Sequence, residues 1–423
     1  MTRVLCVTSW FPPHHFGGYE LSCHDVMRRL AERGHHVEVL TSDHRHPDTA
    51  DTDPAPIQGV HRDLQLYFRD GALWSPSLVG RLRVERHNQR VLRAALRSCR
   101  PDVVSVWHVG AMSLGLLTTL IREEVPLVYA VSDDWPAYAR QLDPWTRAVA
   151  RLPVPPRLLE AVTRVPATLP DLDASGAFCF ISEVTRARSR RSSPWVFPTS
   201  ALVYSGIDGR LFESGPSPVE ESGAVVPPLR LLYVGRVDPR KGIRTAVQAV
   251  ASLPGATLVV DGRSTPADQA ALEAWAAEAG VADRVTLQCS DRADLPATYR
   301  SADVCLFTSE WEEPFGLVPL EAMACGVPVV ASGVGGSGEF LVDGGNCVLF
   351  APGDPASLAT AVQRLVDDPA LVRHVTANGR VSAEHFDVDH LADAFEAWHA
   401  AVATGQRDGL PPDRTPPALA PQP

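Results

Sequence analysis

Lys241 is the single lysine among the 39 basic residues of this 423-residue chain; the others are arginines. Because arginine occupies every other basic position, the lysine retained at 241 indicates a site that needs a compact ammonium group on a flexible stem. Such a group commonly binds phosphate. Arg236 precedes Lys241 closely in the chain, so a turn between the two would let both cations converge on one phosphate group.

The segment 235–242 has the pattern of a turn between a strand and a helix. Residues 231–234 are a short apolar run, typical of a buried strand, and residues 243–252 carry apolar side chains at helical spacing. Ligands of open α/β sheets bind at the carboxyl ends of the strands. The turn therefore predicts a phosphate site formed by Arg236 and Lys241, and a solvated charged loop is the alternative interpretation.

A second group of residues lies in the segment 313–332. Glu313 stands in a loop before a proline, and a helix is predicted from Phe315 to about Cys325, with Glu321 near its middle. The first N–H groups of a helix have no partner inside it, and the helix dipole favours an anion there. The N–H groups expected to face an anion belong to Phe315, Gly316, Leu317 and Val318.

Together with residues 335–339, these two segments resemble the retaining glycosyltransferases of family 4. The segment 12–20 is similar to the glycine loop of that family, and residues 204–208 are similar to its interdomain hinge. The resemblance covers roughly residues 3–400. It implies the α/β GT-B fold, in which two doubly wound, Rossmann-like domains face a central cleft.

The resemblance also implies a reaction, in which a hexose-type sugar moves from a nucleotide-diphosphate donor to an acceptor hydroxyl with retention of configuration. Cations and N–H groups would stabilise the charge that grows on the leaving phosphate. Glu321 would bind the ribose hydroxyls and Glu313 a hydroxyl of the transferred sugar, because a carboxylate accepts two hydrogen bonds from a diol. The residues assigned to catalysis are His108, Arg236, Lys241 and Glu313.

The donor site is expected to draw on both halves of the chain. Gly17 and Gly18 would let backbone approach the phosphate because they have no Cβ, and backbone contacts to the base are expected near Gly262 and Ser290. The residues assigned to donor binding are Gly17, Gly18, Arg236, Lys241, Gly262, Ser290, Phe315, Gly316, Leu317, Val318 and Glu321.

The acceptor side rests on weaker signals. His108 follows a predicted strand, at a place where family members often have a histidine that contacts the donor sugar. After the next strand, where many relatives have His-Asp, this chain has Asp133 and Asp134. These carboxylates are expected to orient the acceptor hydroxyl or to cap the loop. The residues assigned to the acceptor are Tyr19, Asp133, Asp134 and Trp135.

No metal and no bound cofactor are expected. Residues 171–173 match the metal-binding DxD pattern of another glycosyltransferase fold, but they lie in a proline-rich stretch and do not follow a strand. The cation pair would take the place of a divalent metal at the phosphate. The co-substrate would be a nucleotide-diphosphate sugar linked to UDP, GDP, dTDP or ADP.

Two functions from different classes stay open. The first is a glycosyltransferase whose acceptor is a natural product, a saccharide or a lipid-linked molecule. The second is a catalytically silent GT-B protein that acts as a binding partner or helper. Arg236, Lys241 and Glu321 are all present, which favours the enzyme.

The composition of the chain bears on its binding partners and on its cellular compartment. The net charge of −11 argues against nucleic-acid binding. No apolar run is long enough to span a membrane, and no signal peptide is recognisable. The eight cysteines include no CxxC pair, which is typical of reduced cytoplasmic thiols rather than of a zinc site.

The helix predicted over residues 83–100 is the one sign of a membrane. Its arginines recur every three or four residues, so they lie on one face. That face is either solvated or in peripheral contact with the inner face of a membrane. The arginines concerned are Arg83, Arg86, Arg90, Arg93, Arg97 and Arg100.

Strand and helix signals alternate along the whole chain, which favours parallel sheets in two domains. The acceptor-side domain is expected over residues 1–208, and the nucleotide-sugar domain over 209–385. A helix over 386–404 is expected to cross back to the first domain, as in many family members. Residues 405–423 are rich in proline and are predicted to be disordered.

Overall fold

The computed structural model describes residues 1–46, 49, 56–69, 71–213, 215, 218–405, 410–416 and 419. Their contacts divide them into two compact units. The first unit comprises Met1–Tyr204 and Asp389–Arg414, and the second comprises Ser205–Val388 with the described residues after Arg414.

The first unit is built on a seven-stranded sheet in which every neighbouring pair is parallel. The strands of this unit are β1 (Arg3–Val7), β2 (His36–Ser42), β3 (Gly59–Leu64), β4 (Phe68–Arg69), β5 (Ala72–Leu73), β6 (Val103–Val106), β7 (Leu127–Val131), β8 (Ala177–Phe180) and β9 (Ser200–Leu202). The order in the sheet is β3-β2-β1-β6-β7-β8-β9, and β4 pairs separately with β5. The central strands are apolar and buried throughout, because a parallel sheet of this kind is covered on both faces.

Helices connect these strands and cover the sheet. They are α1 (Gly18–Glu32), α2 (Leu78–Cys99), α3 (Gly115–Arg122), α4 (Trp135–Leu142), α5 (Pro144–Val149), α6 (Pro156–Thr163) and α7 (Glu183–Ser192). The strands β3, β4 and β5 were not predicted from the sequence. Their residues are mixed polar and half-exposed, so the continuous apolar run that marks a buried strand is absent.

The second unit has a six-stranded sheet, also parallel at every described pair. Its strands are β10 (Arg230–Val234), β11 (Thr257–Asp261), β12 (Val285–Gln288), β13 (Val304–Phe307), β14 (Val329–Ala331) and β15 (Val348–Leu349), in the order β12-β11-β10-β13-β14-β15. Its helices are α8 (Pro218–Ser222), α9 (Ile243–Ala251), α10 (Pro266–Glu278), α11 (Leu295–Arg300), α12 (Val318–Ala324), α13 (Pro355–Asp367) and α14 (Pro369–His385). Both sheets reverse their strand order beside the first strand, which is the doubly wound topology.

The last helix, α15 (Val388–Ala403), returns to the first unit. Arg29 of α1 is 1% exposed, and its Nε donates to Asp389 Oδ1 at 2.6 Å. Phe395 stacks on Trp107 with ring centroids 4.8 Å apart. The last helix therefore supplies both core and ion-pair partners to the unit formed by the first half of the chain.

The segment 410–416 differs from the disordered tail that the sequence predicts. Asp413 Oδ1 accepts a hydrogen bond from Leu202 N at 2.8 Å, and its Oδ2 lies 3.0 Å from Nη2 of Arg186. The prediction of disorder is wrong for this short segment, because one carboxylate satisfies both the edge strand β9 and a nearby arginine. Residues 406–409, 417, 418 and 420–423 lie outside the described residues.

The arginine-rich helix α2 packs into the protein on its apolar side. Val84 and Leu92 are 2% and 0% exposed, whereas the side chains of Arg83, Arg86 and Arg90 lie at the surface. The apolar side needed for insertion into a membrane surface is thus already buried, which favours the solvated face. None of the described helices is long and apolar enough to cross a bilayer.

His399 of α15 gives the first unit a specific response to acid. It is 2% exposed, its Nε2 lies 3.0 Å from Ser105 Oγ, and burial lowers its pKa to about 3, with a smaller effect of His35. The unfolded chain binds a proton at His399 near pH 6.5, whereas the folded chain does not, so stability is lost as pH falls below that value. We expect the free energy of unfolding to fall by about 2 kcal/mol between pH 7.5 and pH 5 through His399.

Chemical denaturation of the native protein and of His399→Asn at both pH values measures this contribution. Seven of the nine tryptophans belong to the first unit, so tryptophan fluorescence reports mainly on that unit. The variant should lose about 2 kcal/mol less than the native protein on acidification. Equal losses would show that His399 is not held neutral by the fold.

Candidate functional site

The turn that carries Lys241 is fixed at the carboxyl end of β10. Residues Pro239–Lys241 form one 3-10 turn, and Asp238 caps it by accepting a hydrogen bond from Arg240 N at 3.0 Å. Gly242 has φ +68°, and a Cβ there would lie 1.8 Å from Thr308 O, so only glycine fits. Thr308 Oγ1 also donates to Lys241 O at 2.9 Å. The loops after β10 and β13 therefore hold each other, and Lys241 stands between them.

Lys241 and Glu313, predicted for separate tasks, form an ion pair. Lys241 Nζ lies 2.7 Å from Glu313 Oε1, and the side chains are 25% and 7% exposed. Although this distance marks an ion pair, Oε1 receives no hydrogen bond of good geometry from the described residues. Together with burial, the charge of Glu313 raises the pKa of Tyr233. The carboxylate is thus balanced by one movable cation and keeps capacity to accept a further donor.

Two glycines hold the backbone of Glu313. Gly335 forms a parallel bridge with Glu313, and Gly336 N donates to Glu313 O at 2.7 Å. Gly335 has φ +73°, and a Cβ there would lie 2.5 Å from the backbone N and O of Glu313. The segment 335–339, identified in the sequence only by resemblance, therefore positions the carboxylate.

Arg236 is the second predicted cation. Its side chain is exposed, and its guanidinium has no hydrogen-bond or ion-pair partner within the described part of the chain. Tyr233 Oη donates to Arg236 O at 3.0 Å and fixes the backbone. Gly262 allows the loop after β11 to approach the same turn, because a Cβ at 262 would lie 2.1 Å from Gly235 O.

Ser290 has a structural partner that the sequence did not reveal. Its Oγ donates to Asp261 Oδ2 at 2.5 Å, and its N donates to Asp261 Oδ1 at 2.9 Å. Asp261 is 2% exposed and also accepts from Gln288 Nε2 at 2.7 Å. The Ser290 side chain therefore ties the loop after β12 to the end of β11, which leaves backbone groups to contact a ligand.

The helix predicted to begin at Phe315 begins later. It spans Val318–Ala324, with proline at its second position. Phe315 is 2% exposed and packs on Phe340 with centroids 4.9 Å apart, so its side chain belongs to the core. Gly316 has φ +100° and would meet the Phe307 ring at 2.8 Å if it carried a Cβ. The prediction of a helical first turn at 315–317 is therefore wrong; these residues form a loop that ends at Leu317, the N-cap of the helix.

The loop nevertheless presents donors. Among the described residues, the N–H groups of Gly316, Leu317 and Val318 donate no hydrogen bond. Gly316 and Leu317 lie in the chain before the helix, and Val318 is its first residue, so the loop and the helix start supply these donors together.

Tyr299 is a positioning residue that sequence reasoning missed. It is fully buried, and its Oη donates to Glu321 Oε2 at 2.6 Å. Burial and then the charge of Glu321 raise the pKa of Tyr299, so it stays a donor. Tyr299 lies on α11 and Glu321 on α12, and no fixed spacing in the sequence connects the two elements.

In the first unit, His108 and Asp133 lie near each other at the carboxyl edge of the sheet. His108 Nε2 is 3.7 Å from Asp133 Oδ2, too far for a hydrogen bond, and Tyr138 Oη donates to the same oxygen at 2.7 Å. Asp133 Oδ1 and His108 Nδ1 are buried without a hydrogen-bond partner among the described residues. Buried polar atoms of this kind are rare and indicate groups that a ligand or water satisfies.

The glycine loop precedes α1. Gly17 N donates to Glu20 Oε2 at 2.8 Å, φ at Gly17 is −165°, and a Cβ there would meet only Glu20 Oε2, at 3.9 Å. The fold of the unit itself thus has room for a side chain at 17. Tyr19 donates its hydroxyl proton to Ala130 O, and burial followed by the charge of Asp133 raises its pKa. Its ring stands 5.2 Å from His108.

Two of the predicted acceptor residues have other roles. Trp135 is 1% exposed and belongs to the core, so it does not present its ring to a ligand. Asp134 pairs with Arg188 and connects α4 with α7. These two assignments are corrected, because the helix starts at Trp135 and turns both side chains toward the protein. Tyr19 and Asp133 remain close to His108.

Two family profiles match the chain, one in each unit. The profile of Glycosyl transferases group 1 matches residues 219–382, and that of Glycosyltransferase Family 4 matches residues 16–196. The chain belongs to the group 1 glycosyltransferases of family 4. Every residue assigned above to this glycosyltransferase's site lies within one of the two matched segments.

The glycosyltransferase is similar to named relatives over different lengths. It is 29% identical to glycogen synthase of Mycobacterium tuberculosis, over 97% of each chain. It is 33% identical to D-inositol 3-phosphate glycosyltransferase of Mycolicibacterium smegmatis, over 49% of this chain and 48% of that protein. Its fold is similar to that of HepE from Anabaena in complex with UDP and glucose, with a TM-score of 0.66, 20% identity and coverage of 94% and 98%. The predicted GT-B class, with two Rossmann-like domains, is confirmed.

Gly335→Ala tests the positioning of Glu313. The added Cβ must displace the Glu313 backbone, and a shift of about 1 Å at a reacting group costs roughly 100-fold in rate. We therefore expect turnover of this glycosyltransferase to fall by about 100-fold. Gly280→Ala is the matched control: Gly280 also has a positive φ, +70°, but a Cβ there would meet nothing within 4 Å.

Steady-state turnover and thermal unfolding of both variants separate the two effects. Gly280→Ala should lose about 1 kcal/mol of stability through backbone strain, and Gly335→Ala more because its Cβ also displaces the Glu313 backbone, but only Gly335→Ala should lose turnover. Equal turnover in the two variants would contradict the role of Gly335.

Proposed function

We propose that this glycosyltransferase is a retaining enzyme that moves a hexose-type sugar from a nucleotide-diphosphate donor to an acceptor hydroxyl. The observation that carries the proposal is the Lys241–Glu313 pair, in which a buried carboxylate and the single lysine of the chain lie 2.7 Å apart. The pair combines a cation suited to phosphate with an acceptor suited to sugar hydroxyls.

Arg236 and Lys241 would bind the diphosphate. As the bond from the anomeric carbon to the phosphate oxygen breaks, negative charge grows on that oxygen, and cations already in place stabilise it. The Arg236 guanidinium has no ion-pair partner among the described residues, and Lys241 has one, Glu313. The N–H groups of Gly316, Leu317 and Val318 would add donors without adding charge. Because these groups supply the positive field, the proposed reaction proceeds without a divalent metal.

Glu313 would bind the transferred sugar. When the ammonium of Lys241 turns toward a phosphate, the buried Glu313 carboxylate loses part of the positive charge that balances it. A sugar hydroxyl can then donate a hydrogen bond to that carboxylate. Phosphate and sugar would therefore bind better together than either would alone. Glu321, which accepts a hydrogen bond from Tyr299, would also accept hydrogen bonds from the ribose diol.

The first unit would supply the acceptor side. His108 and Asp133 each keep a buried polar atom without a described partner, and Tyr19 packs beside His108. For retention we propose a front-side reaction, in which the acceptor oxygen bonds to the anomeric carbon on the face that the phosphate leaves. The leaving phosphate oxygen would take the acceptor proton, which needs no protein nucleophile.

The acceptor is proposed to be rich in hydroxyl groups. The relatives named glycogen synthase and D-inositol 3-phosphate glycosyltransferase support this class by their names. The aromatic ring of Tyr19 and the carboxylate of Asp133 provide the apolar and polar contacts that a sugar or polyol takes. Natural products and lipid-linked sugars belong to the same chemical class at the reacting hydroxyl.

Thermal stabilisation by UDP, GDP, dTDP and ADP, each with and without a common sugar, tests the donor site. A ligand that binds the folded state raises the apparent stability by mass action. One nucleotide family should raise Tm in the native protein and fail to do so in Lys241→Ala, whose turnover should fall by about 100- to 1000-fold. Arg244→Ala is the control, because Arg244 is a surface cation that pairs with Glu278 in the same unit.

The outcomes distinguish an active enzyme from a catalytically silent protein. A nucleotide shift lost in Lys241→Ala but kept in Arg244→Ala supports the proposed donor site. A shift with no sugar transfer or donor hydrolysis from any nucleotide sugar would favour a silent helper. Full turnover in Lys241→Ala would remove Lys241 from the site.

Tyr299→Phe tests the ribose assignment of Glu321. The variant loses the 2.6 Å hydrogen bond that helps to orient the Glu321 carboxylate, and we expect nucleotide affinity to fall by about 5- to 10-fold, the equivalent of one hydrogen bond. Titration calorimetry measures the affinity directly. Tyr129→Phe is the control, because Tyr129 is a buried tyrosine of the first unit that interacts with Ser175. Unchanged affinity in Tyr299→Phe would contradict the assignment.

A further inference from the structure

Three metal-binding side chains meet at the edge of the first sheet, away from the residues discussed above, and a fourth, His61, contacts one of them. His36 and Glu38 lie on β2, His61 lies on β3, and Cys99 is the last residue of α2. Glu38 Oε1 is 3.0 Å from His36 Nε2, and Glu38 Oε2 is 3.0 Å from His61 Nε2. Ligand atoms of His36, Glu38 and Cys99 all lie within 4.8 Å of one another, the one such group found among the described residues.

The backbone places these side chains on one face. His36 and Glu38 are two residues apart on a strand, so they point the same way. In the register of β2 and β3, Glu38 is opposite Gly59 and Leu40 is opposite His61, so His61 shares that face. Cys99, 4% exposed, closes the group from the helix that packs over it. Three separate elements thus deliver one thiol, two imidazoles and one carboxylate.

We propose that His36, Glu38, His61 and Cys99 form a structural Zn²⁺ site. Thiolate, imidazole and carboxylate are the ligands that zinc prefers, and four of them complete a closed tetrahedral set. On binding, the Cys99 thiol releases its proton to solvent and coordinates through sulfur. Each imidazole presents the lone pair of Nε2 and keeps its proton on Nδ1.

The position of the group explains its role. His36 begins β2, and Cys99 ends the helix that leads to β6, so the group lies at the amino ends of the parallel strands. His108 and Asp133 lie at the opposite, carboxyl ends. The metal would therefore join β2, β3 and the end of α2 without contacting substrate. No sequence motif indicates this site, because a single cysteine far from the histidines does not match a zinc motif.

Charge also favours a cation. The Cys99 thiol lies beside the Glu38 carboxylate. The two imidazoles hydrogen-bond to the Glu38 carboxylate, and the Cys99 thiol is the third group beside that carboxylate. A divalent ion would replace these contacts with direct bonds to all four groups.

Titration of the full-length, tag-free protein with Co²⁺ under metal-free phosphine reductant tests the site. We expect one equivalent of Co²⁺ to produce a thiolate-to-cobalt charge-transfer band, and Zn²⁺ to displace it. Cys99→Ser should abolish the band, and His36→Asn should weaken binding by about 10- to 100-fold. The controls are Cys289→Ser, which removes an exposed cysteine, and His46→Asn, which removes a histidine outside the group; both should keep the band.

The effect of Zn²⁺ on Tm is a second measurement, which tests the site even if Cys99→Ser folds poorly. His36 and His61 have side chains 35% and 45% exposed, so their replacement by asparagine leaves the core intact. Zn²⁺ should raise the Tm of the native protein and of His46→Asn, and should not raise that of His36→Asn/His61→Asn. A native protein without the charge-transfer band, a band that persists in Cys99→Ser, or an equal Tm rise in the double variant would each overturn the proposal.

Discussion

A carboxylate that is almost fully buried needs a cation, and Glu313 has one that it can lose. The Lys241 ammonium lies 2.7 Å away on a flexible side chain, so the pair is stable without a ligand but can open when a phosphate attracts the lysine. An arginine at 241 would hold a carboxylate through a rigid planar fork and separate from it less readily. The single lysine of a chain whose other basic residues are arginines lies at position 241, which is consistent with the need for a mobile cation there.

The pair depends on backbone contacts that exclude side chains. Gly242 lies against Thr308 O, Gly262 against Gly235 O, and Gly335 against the backbone of Glu313. Each contact joins the loop after one strand to the loop after another, so the carboxyl edge of the second sheet behaves as one packed layer. A packed layer transmits small displacements, which explains why residues that never touch a substrate can control where Lys241 and Glu313 stand.

The sequence predicted the central strands of both sheets, because the apolar run of a buried strand is a local signal. Apolar runs located β10, β11 and β13, and the isolated Lys241 pointed to phosphate before any fold was considered. Tyr299 could not be found, since its relation to Glu321 exists only after α11 and α12 pack together. Trp135 was misassigned for the same reason: an aromatic residue beside a motif has the same local pattern whether it faces a ligand or the core.

The start of α12 was predicted too early because a glycine and a phenylalanine after a proline also suit an extended loop. Gly316 takes a left-handed conformation there, and the helix forms only once the chain has passed it. The metal-binding group was missed because its members come from β2, β3 and the end of α2, and parallel pairing rather than spacing brings them together.

The last helix has a consequence for synthesis of the chain. Asp389, Phe395 and His399 complete the interior of the unit whose other residues end at Tyr204. While the ribosome is still producing the second unit, Arg29 has Glu32 beside it but lacks its partner Asp389, and Trp107 lacks the Phe395 ring that stacks on it. Most of the first unit is synthesised first, but its core is complete only after the last helix has been made. A nascent chain halted before residue 389 therefore has an incomplete core that chaperones would need to shield.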